Sequence, residues 1–540
     1  MVLFKASLLL SGLALAHAGP GKSPNIEWGA CNKTEVNTSL PMDCSNLHVP
    51  LDYTDSRSNK TLRLELARLP ASENPSKGSI LFNFGGPGIP GRSSLVALAS
   101  LLQALTGGQY DLIAFDPRGT GNTLPFTCYD NDLEVLAMMD EQILANASDT
   151  TMGRLWARAS VDAQACFSKA NETGSLIGTA FGARDLMSVV DALDEDGMLR
   201  YWGLSYGTTL GATVAAMFPD RIDKMILDGV QNPHEYYHAY ADFEEWTMSD
   251  KVFSGIFSGC VAAPENCALA HGNKTAAELE QVVWDMIDAV KYRPIPLGGG
   301  LLDYSASKQV MAQHLYSTSG WPDLAVMLDA MLSGNPQESG PEPDAGVYID
   351  GKLQNSVQLM ATMGIHCADR KLRTSSFDEI MPAMNQLLNI SRVMGDVTTG
   401  MSMACAQWKI EPKERYEGDF QVKTKNPVLF IGNTYDGHTP IISARNVSSG
   451  FEGSVVLEVN GYGHCSVALP SKCTLKTVSE YWLKGTLPEP GKVCGVDAPP
   501  YSNVTWADVI GEASGNNTSC LLKREVYNVP SLHNLGRRLI

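Results

Sequence analysis

Four short apolar runs, each closed by a turn, punctuate the first half of the chain. Ser79-Ile80-Leu81-Phe82-Asn83-Phe84 runs into Gly85-Gly86-Pro87-Gly88, and Asp111-Leu112-Ile113-Ala114-Phe115-Asp116 into Pro117-Arg118-Gly119. Leu199-Arg200-Tyr201-Trp202 leads to Gly203, and Lys224-Met225-Ile226-Leu227-Asp228 to Gly229. Runs this short and this apolar read as strands buried on both faces. Residues 181–193 have helical spacing. Residues 208–218 are small and apolar, are closed by Pro219, and read as a buried helix. Strands alternating with helices predict a parallel sheet with both faces covered. Residues 61–69 alternate apolar and polar positions and read as an early antiparallel strand.

The pattern changes near His234. From there to about Gly395 the chain is mostly amphipathic helix, rich in Met, Trp and Tyr, with no convincing strand. Strand character returns at 427–431 and 454–459, and a helix is expected near 474–483. The reading is an α/β fold: a mostly parallel central sheet, helices on both faces and an inserted helical cap. The expected divisions are a signal segment at 1–18, core at 19–232, cap at 233–395, core at 396–495 and an irregular tail at 496–540.

The N-terminus sets the compartment. Lys5 precedes an apolar run from Leu8 to Leu15, and Ala16-His17-Ala18 precedes Gly19. That is a secretory signal with a small-x-small cleavage site. The run is shorter than the roughly 18 residues a membrane span needs. The 12 cysteines suit disulfides in an oxidising compartment. N-x-[ST] acceptors start at Asn32, Asn37, Asn59, Asn146, Asn171, Asn273, Asn389, Asn446, Asn503, Asn516 and Asn517, a density that indicates a secreted, extracellular glycoprotein. A net charge of −18 with no basic stripe excludes nucleic acid as a partner. No later segment has the length and apolarity of a membrane span. No CxxC pair or HExxH motif indicates a metal, so neither metal nor cofactor is expected.

The chemistry centres on Gly203-Leu204-Ser205-Tyr206-Gly207. A strand before this G-x-S-x-G and a helix after it make a nucleophile elbow with Ser205 at its apex. A serine needs a base, and the base an orienting acid. The required order is Ser, acid, His. The predicted strand at 427–431 runs into Gly432-Asn433-Thr434-Tyr435-Asp436-Gly437, and that at 454–459 into Asn460-Gly461-Tyr462-Gly463-His464-Cys465. Both candidates follow a strand's C-terminal end, the edge where α/β sheets carry chemistry. Asp436 is the candidate acid and His464 the candidate base. His438, two residues from Asp436, is the rival base and is read as a loop or rim residue. The oxyanion hole needs two N–H donors, assigned to Tyr206 and Gly86.

With these residues in view, the chain resembles the secreted α/β-hydrolases of the tripeptidyl and prolyl aminopeptidase family. The likeness runs from about Trp28 to Cys494. It is carried by Gly85-Gly86-Pro87-Gly88, Asp116-Pro117-Arg118-Gly119-Thr120-Gly121, the elbow through Thr208, Leu227-Asp228-Gly229-Val230, residues 260–269, Ile365-His366-Cys367-Ala368-Asp369, Cys405-Ala406-Gln407-Trp408, Asp436-Gly437-His438-Thr439-Pro440 and Gly463-His464-Cys465. The resemblance implies that the last two segments hold the triad acid and base. Two departures bear on substrate choice. Ile89-Pro90 stands where the family usually has Gly-Ser, and His438 where it usually has a small apolar residue.

The resemblance also implies cap carboxylates that hold a peptide's free amino end. Glu244 and Glu245, beside Trp246, are the candidates. Neighbouring cysteines suggest the pairs Cys31–Cys44, Cys128–Cys166, Cys260–Cys267, Cys367–Cys405 and Cys473–Cys494, which leaves Cys465 and Cys520 to pair or stay free; sequence alone does not fix the connectivity. The function read from all of this is a secreted serine hydrolase that releases N-terminal residues or short peptides through an acyl-enzyme on Ser205. The alternative is a secreted esterase, lactonase or thioester hydrolase acting on a small metabolite with the same triad. A hydrolase-fold binding protein is the reading outside enzymes. Such proteins commonly lose a triad member, and none is lost here.

Overall fold

A computed structural model of the chain describes residues 25–32, 38, 40–140, 143–297, 300–334, 348–349 and 352–513. The signal segment 1–18, Asn37, Asn516, Asn517 and Cys520 lie outside the described residues.

Ten strands form one sheet. In chain order they are β1 (Gly29–Ala30), β2 (Asp43–Pro50), β3 (Thr61–Leu69), β4 (Ser79–Asn83), β5 (Asp111–Phe115), β6 (Leu199–Leu204), β7 (Ile222–Asp228), β8 (Leu429–Tyr435), β9 (Val455–Tyr462) and β10 (Val493–Gly495). Their spatial order is β1-β2-β3-β5-β4-β6-β7-β8-β9-β10. The N-terminal meander of β1, β2 and β3 is antiparallel and continues antiparallel onto β5. From β5 onward every pairing is parallel. Residues 199–204 and 429–433 are buried without interruption, because helices cover both faces.

The pleat divides the core in two. Ile80, Phe82, Leu112, Ala114, Trp202, Ile226 and Ile431 point to one face; Leu81, Ile113, Phe115, Tyr201, Leu227 and Phe430 point to the other. The helices running from the N-terminus are α1 (Gly91–Leu105), α2 (Asp132–Asp140), α3 (Thr151–Gly174), α4 (Thr179–Ala192) and α5 (Tyr206–Met217). The helical region after β7 holds α6 (Pro233–His238), α7 (Ser249–Ala262), α8 (Ala276–Val290), α9 (Tyr304–Gln313), α10 (Trp321–Leu332), α11 (Gln354–Asp369), α12 (Phe377–Ile390) and α13 (Thr399–Ala406). The chain ends through α14 (Ile441–Ser449), α15 (Lys472–Lys484) and α16 (Trp506–Ala513). Helices α1, α15 and α16 cover the first face. Helices α4, α5 and α14 cover the second, and the cap shares their core.

Three expectations need correction. The cap region is not free of strands: Ile295–Leu297 pairs with Gly300–Leu302, and Tyr348–Ile349 with Lys352–Leu353. The helical layer exceeds 233–395, since α3, from before the elbow, packs on α13. An amphipathic stripe does not say which layer a helix will join. The tail is not wholly irregular either. Its helix α16 buries Trp506, Val509 and Ile510, and Trp506 Nε1 donates to the Val467 carbonyl at 2.7 Å.

The Asp116-Pro117-Arg118-Gly119 segment is structural. Arg118 is buried and pairs in bidentate fashion with Asp185 of α4, at 2.6 and 2.8 Å, while its remaining donors reach the carbonyls of Pro50, Leu51 and Leu176. A buried guanidinium needs this degree of pairing. The disulfides are Cys31–Cys44, Cys128–Cys166, Cys260–Cys267, Cys367–Cys405 and Cys473–Cys494, and Cys465 is a buried free thiol. Asn32, Asn59, Asn146, Asn171, Asn273, Asn389, Asn446 and Asn503 are all exposed. No helix among the described residues is long and apolar enough to cross a membrane.

Candidate active site

Strand β6 delivers Ser205 into a backbone conformation that L residues avoid, φ 57° and ψ −127°. Hydrogen bonds over-determine it. The Ser205 N–H donates to the Asp228 carbonyl at 3.0 Å, and the Ser205 carbonyl accepts from the Thr208 N–H at 2.8 Å. The flanking glycines are steric necessities. A Cβ on Gly203 would lie 2.2 Å from the Gly207 oxygen, and one on Gly207 would lie 2.5 Å from the Asn83 oxygen. The strand-turn-helix is therefore tight, with a half-buried serine at its apex.

At the ends of β8 and β9, Asp436 and His464 meet. His464 Nδ1 is 3.0 and 3.1 Å from the two Asp436 carboxylate oxygens. Asp436 is fully buried, and its other acceptor sites are filled. It accepts from the N–H groups of His438 (2.9 Å), Thr439 (2.9 Å) and Cys465 (3.0 Å), and from the Thr439 hydroxyl (3.0 Å). Burial alone would raise this carboxyl; the His464 imidazole and these donors together hold it below the usual carboxylate range. Asn433 Nδ2 pins the base loop from beneath, donating to the Gly463 and Cys465 carbonyls at 2.7 Å each. The loop also reaches the elbow. Cys465 Sγ donates at 3.4 Å to the same Asp228 carbonyl that accepts the Ser205 N–H. Burial and the neighbouring Asp228 push this thiol well above its usual pKa, which favours the neutral thiol over the thiolate.

Residues 78–250 match the family model described as alpha/beta hydrolase fold, and residues 391–494 match that of TAP-like protein. The chain has the α/β-hydrolase fold. A tripeptidyl aminopeptidase of Streptomyces lividans is 28% identical to it over 509 residues, covering 91% of this chain and 90% of that one. The serine protease Hip1 of Mycobacterium tuberculosis is 26% identical, covering 88% and 92%. Carboxylesterase B of M. tuberculosis is 26% identical, covering 91% and 97%. Family and relatives together make this α/β-hydrolase a serine hydrolase.

Gly85, Gly86 and Gly88 of this α/β-hydrolase all have positive φ, at 95°, 101° and 95°. A Cβ on Gly85 would lie 2.7 Å from the Ser205 Cβ, so the turn rests directly on the elbow. The Gly85 N–H is taken by Asn83 Oδ1 at 3.0 Å, so Gly85 is not the donor in this turn. The first family departure is structural here: Ile89 is buried in the core, and Pro90 starts α1, its carbonyl accepting from the Ser94 hydroxyl at 2.8 Å.

His438 corrects the rim assignment. It is only 5% exposed and lies flat on Tyr316, with ring centroids 3.7 Å apart. Trp246 meets it edge-on at 6.0 Å, and its centroid is 5.4 Å from that of His464. Burial, and then the nearby His464, push its pKa down to about 3, so it stays neutral. Trp246 is therefore a buried wall behind His438.

The two cap glutamates part company. Glu244 is tied to the core, accepting from Asn232 Nδ2 at 3.3 Å and from Asn446 Nδ2. Glu245 accepts only a long bond from Gln231 Nε2, 3.3 Å, and interacts electrostatically with Tyr316. Its side chain is half-buried. Burial, and next the Asp242 carboxylate, push the Glu245 carboxyl well above the usual range. Asp242 itself stays ionised against burial, held by Arg370 at 2.5 Å and by His366 at 3.4 Å.

Tyr316, Thr439, Asp242 and Arg370 carried no sequence signal as site residues. The Tyr316 carbonyl accepts the His464 N–H at 2.8 Å, and Ser317 bridges Gly463. The cap thus grips the base loop directly.

Proposed function

We propose that this serine hydrolase is a secreted aminopeptidase that cleaves short N-terminal pieces from peptides. The observation that carries the reading is the His464–Asp436 pair at two strand ends, tied through Cys465 to the carbonyl that also holds Ser205. In this reading His464 takes the Ser205 proton as Oγ attacks the scissile carbonyl. Asp436 fixes the imidazole tautomer and stabilises the imidazolium. The Gly86 and Tyr206 N–H groups receive the oxyanion. His464 then returns the proton to the leaving amine, and water releases the acyl group by the same route.

Glu245 is assigned as the anchor for the substrate's ammonium. An ammonium arriving beside Glu245 draws the carboxyl back to its ionised form, and the pair forms a charge-assisted hydrogen bond. The names of the tripeptidyl aminopeptidase and Hip1 relatives support peptide as the substrate class. The disulfides, the exposed sequons and the N-terminal signal pattern support secretion. The carboxylesterase B relative supports ester hydrolysis as the second reading. Turnover of N-terminally free peptides, their N-acetylated counterparts and short acyl esters, side by side, tests both. Preference for free-amine peptides is expected. Ester turnover without peptide turnover overturns the peptidase reading.

A further inference from the structure

Cap helix α11 contacts the turn that carries Gly86 directly and reaches Tyr206 through Thr179. In the direct contact, Thr362 Oγ1 donates to the Pro87 carbonyl at 2.6 Å, inside the turn that carries Gly86. The same hydroxyl is 2.9 Å from the Gln358 carbonyl of its own helix, so the contact to Pro87 is the shorter. The helix comes so close that a Cβ on Gly88 would lie 2.8 Å from the Ala361 Cβ and 3.1 Å from the Thr362 nitrogen. No side chain fits between α11 and the turn.

In the indirect one, Asp369 at the end of α11 accepts from the Thr179 N–H at 2.8 Å and from the Thr179 hydroxyl at 2.5 Å. Thr179 Oγ1 is also 2.5 Å from the Tyr206 hydroxyl, and the Tyr236 hydroxyl donates to Asp369 at 3.1 Å. Tyr206 supplies the second proposed donor from its backbone. Positions 362 and 369 are two helical turns apart and share one face. The Cys367–Cys405 disulfide ties this part of α11 to α13, so the helix is anchored behind the contacts.

We infer that α11 is a brace that sets the spacing of the two oxyanion donors, with Thr362 and Asp369 as positioning residues. The inference rests on the assignment of Gly86 and Tyr206 made above. Its physical basis is that such donors work only when aimed at the position of the developing charge, about 2.7–3.1 Å away. A misplacement of about 1 Å is costly in rate. The cap then does more than bind substrate, because the chemical step depends on how it is seated.

The test compares Thr362→Val, Thr362→Ser, Thr179→Val and Asp369→Asn with the parent enzyme. Three readouts are needed: kcat and KM on a free-amine peptide, the thermal midpoint, and inhibition by a peptidyl aldehyde. The aldehyde's tetrahedral adduct needs the oxyanion hole, whereas ground-state binding does not. Thr362→Val is expected to lower kcat about tenfold or more with KM within about twofold, and to weaken the aldehyde in parallel. Thr362→Ser, which keeps the hydroxyl, should recover most of the loss. Thr179→Val and Asp369→Asn should reproduce the effect from the Tyr206 side, Thr179→Val serving where Asp369→Asn fails to fold.

Unchanged kcat and aldehyde affinity in both valine variants overturn the brace, as does a rise in KM alone. A fall in thermal midpoint that Thr362→Ser does not rescue also overturns it. Ser205→Ala is run alongside. If that variant keeps turnover, the catalytic reading itself fails; if it is inactive while the valine variants are unimpaired, only the brace fails.

Discussion

The imidazole of His438 lies flat on the phenol ring of Tyr316, centroids 3.7 Å apart and planes 26° from parallel. This stack fills the space beside the base, and His438 Nε2 is buried in it without a partner. Replacing a residue that carries an unpaired buried polar atom with an apolar one of similar size removes a desolvation cost. It also loses an aromatic contact of about 0.5–1.5 kcal/mol. His438→Leu is therefore expected to change unfolding free energy by less than about 1 kcal/mol. Denaturant unfolding checks this, and a loss several times larger would show that Nε2 has a bonded partner.

Asp436 orients His464 from a fully buried position with every acceptor site used. Asp436→Asn keeps the shape but presents the wrong tautomer to the imidazole. Turnover should fall by about 10⁴-fold in a protein that still folds. Ser205→Ala should fall at least as far. Steady-state rates together with circular dichroism check both, and substantial residual activity in either folded variant counts against the triad.

Glu245 and Glu244 are adjacent in sequence but face different surroundings. Glu245→Gln should raise KM for free-amine peptides by roughly 10–100-fold, since a hydrogen bond to a charged group is worth about 1.5–3 kcal/mol. N-acetylated substrates should barely respond. Glu244→Gln should change neither, because its partners are Asn232 and Asn446. Equal effects of the two substitutions would remove Glu245 as the amine anchor.

Stability should fall as the pH rises from mildly acidic to neutral. Burial pushes the carboxyls of Asp228 and Asp369 up to about 6. Burial, then Asp242 and Glu244, push that of Glu235 up to about 7. In the unfolded chain these groups titrate near about 4. Between about 4 and 7 the folded state therefore holds more protons, and its stability declines as pH rises through that window. Asp436 acts oppositely. Its carboxyl is held below the usual range, so its contribution is present above about pH 4 and lost as pH falls below it. The thermal midpoint is expected to peak near pH 4–5 and to drop toward pH 7.5. Calorimetry over that range tests it, with Asp228→Asn expected to flatten the slope. A midpoint that rises toward neutral pH contradicts the assignment.

The elements that lie close together along the chain were legible in the sequence. The elbow was, because its turn geometry demands glycine at 203 and 207 within two residues of Ser205. Asp436 and His464 were, because each directly follows an apolar run that forms a buried strand. The alternation of such runs with helical periods was enough for a parallel sheet. What the sequence did not carry were contacts between residues far apart. Tyr316 under His464, Thr362 on Pro87 and the stack that buries His438 join the cap to the core, and Arg370 against Asp242 joins two parts of the cap, each across more than a hundred positions. Local periodicity and turn chemistry hold no record of such pairings, since any amphipathic helix has many surfaces it can cover. The parallel sheet and the chain order of the candidate chemical groups follow from local sequence pattern alone, because periodicity and turn chemistry act over a few neighbouring residues. Which cap residues close on those groups is settled by packing and by the pairing of buried charges in the folded chain, and no local pattern records it.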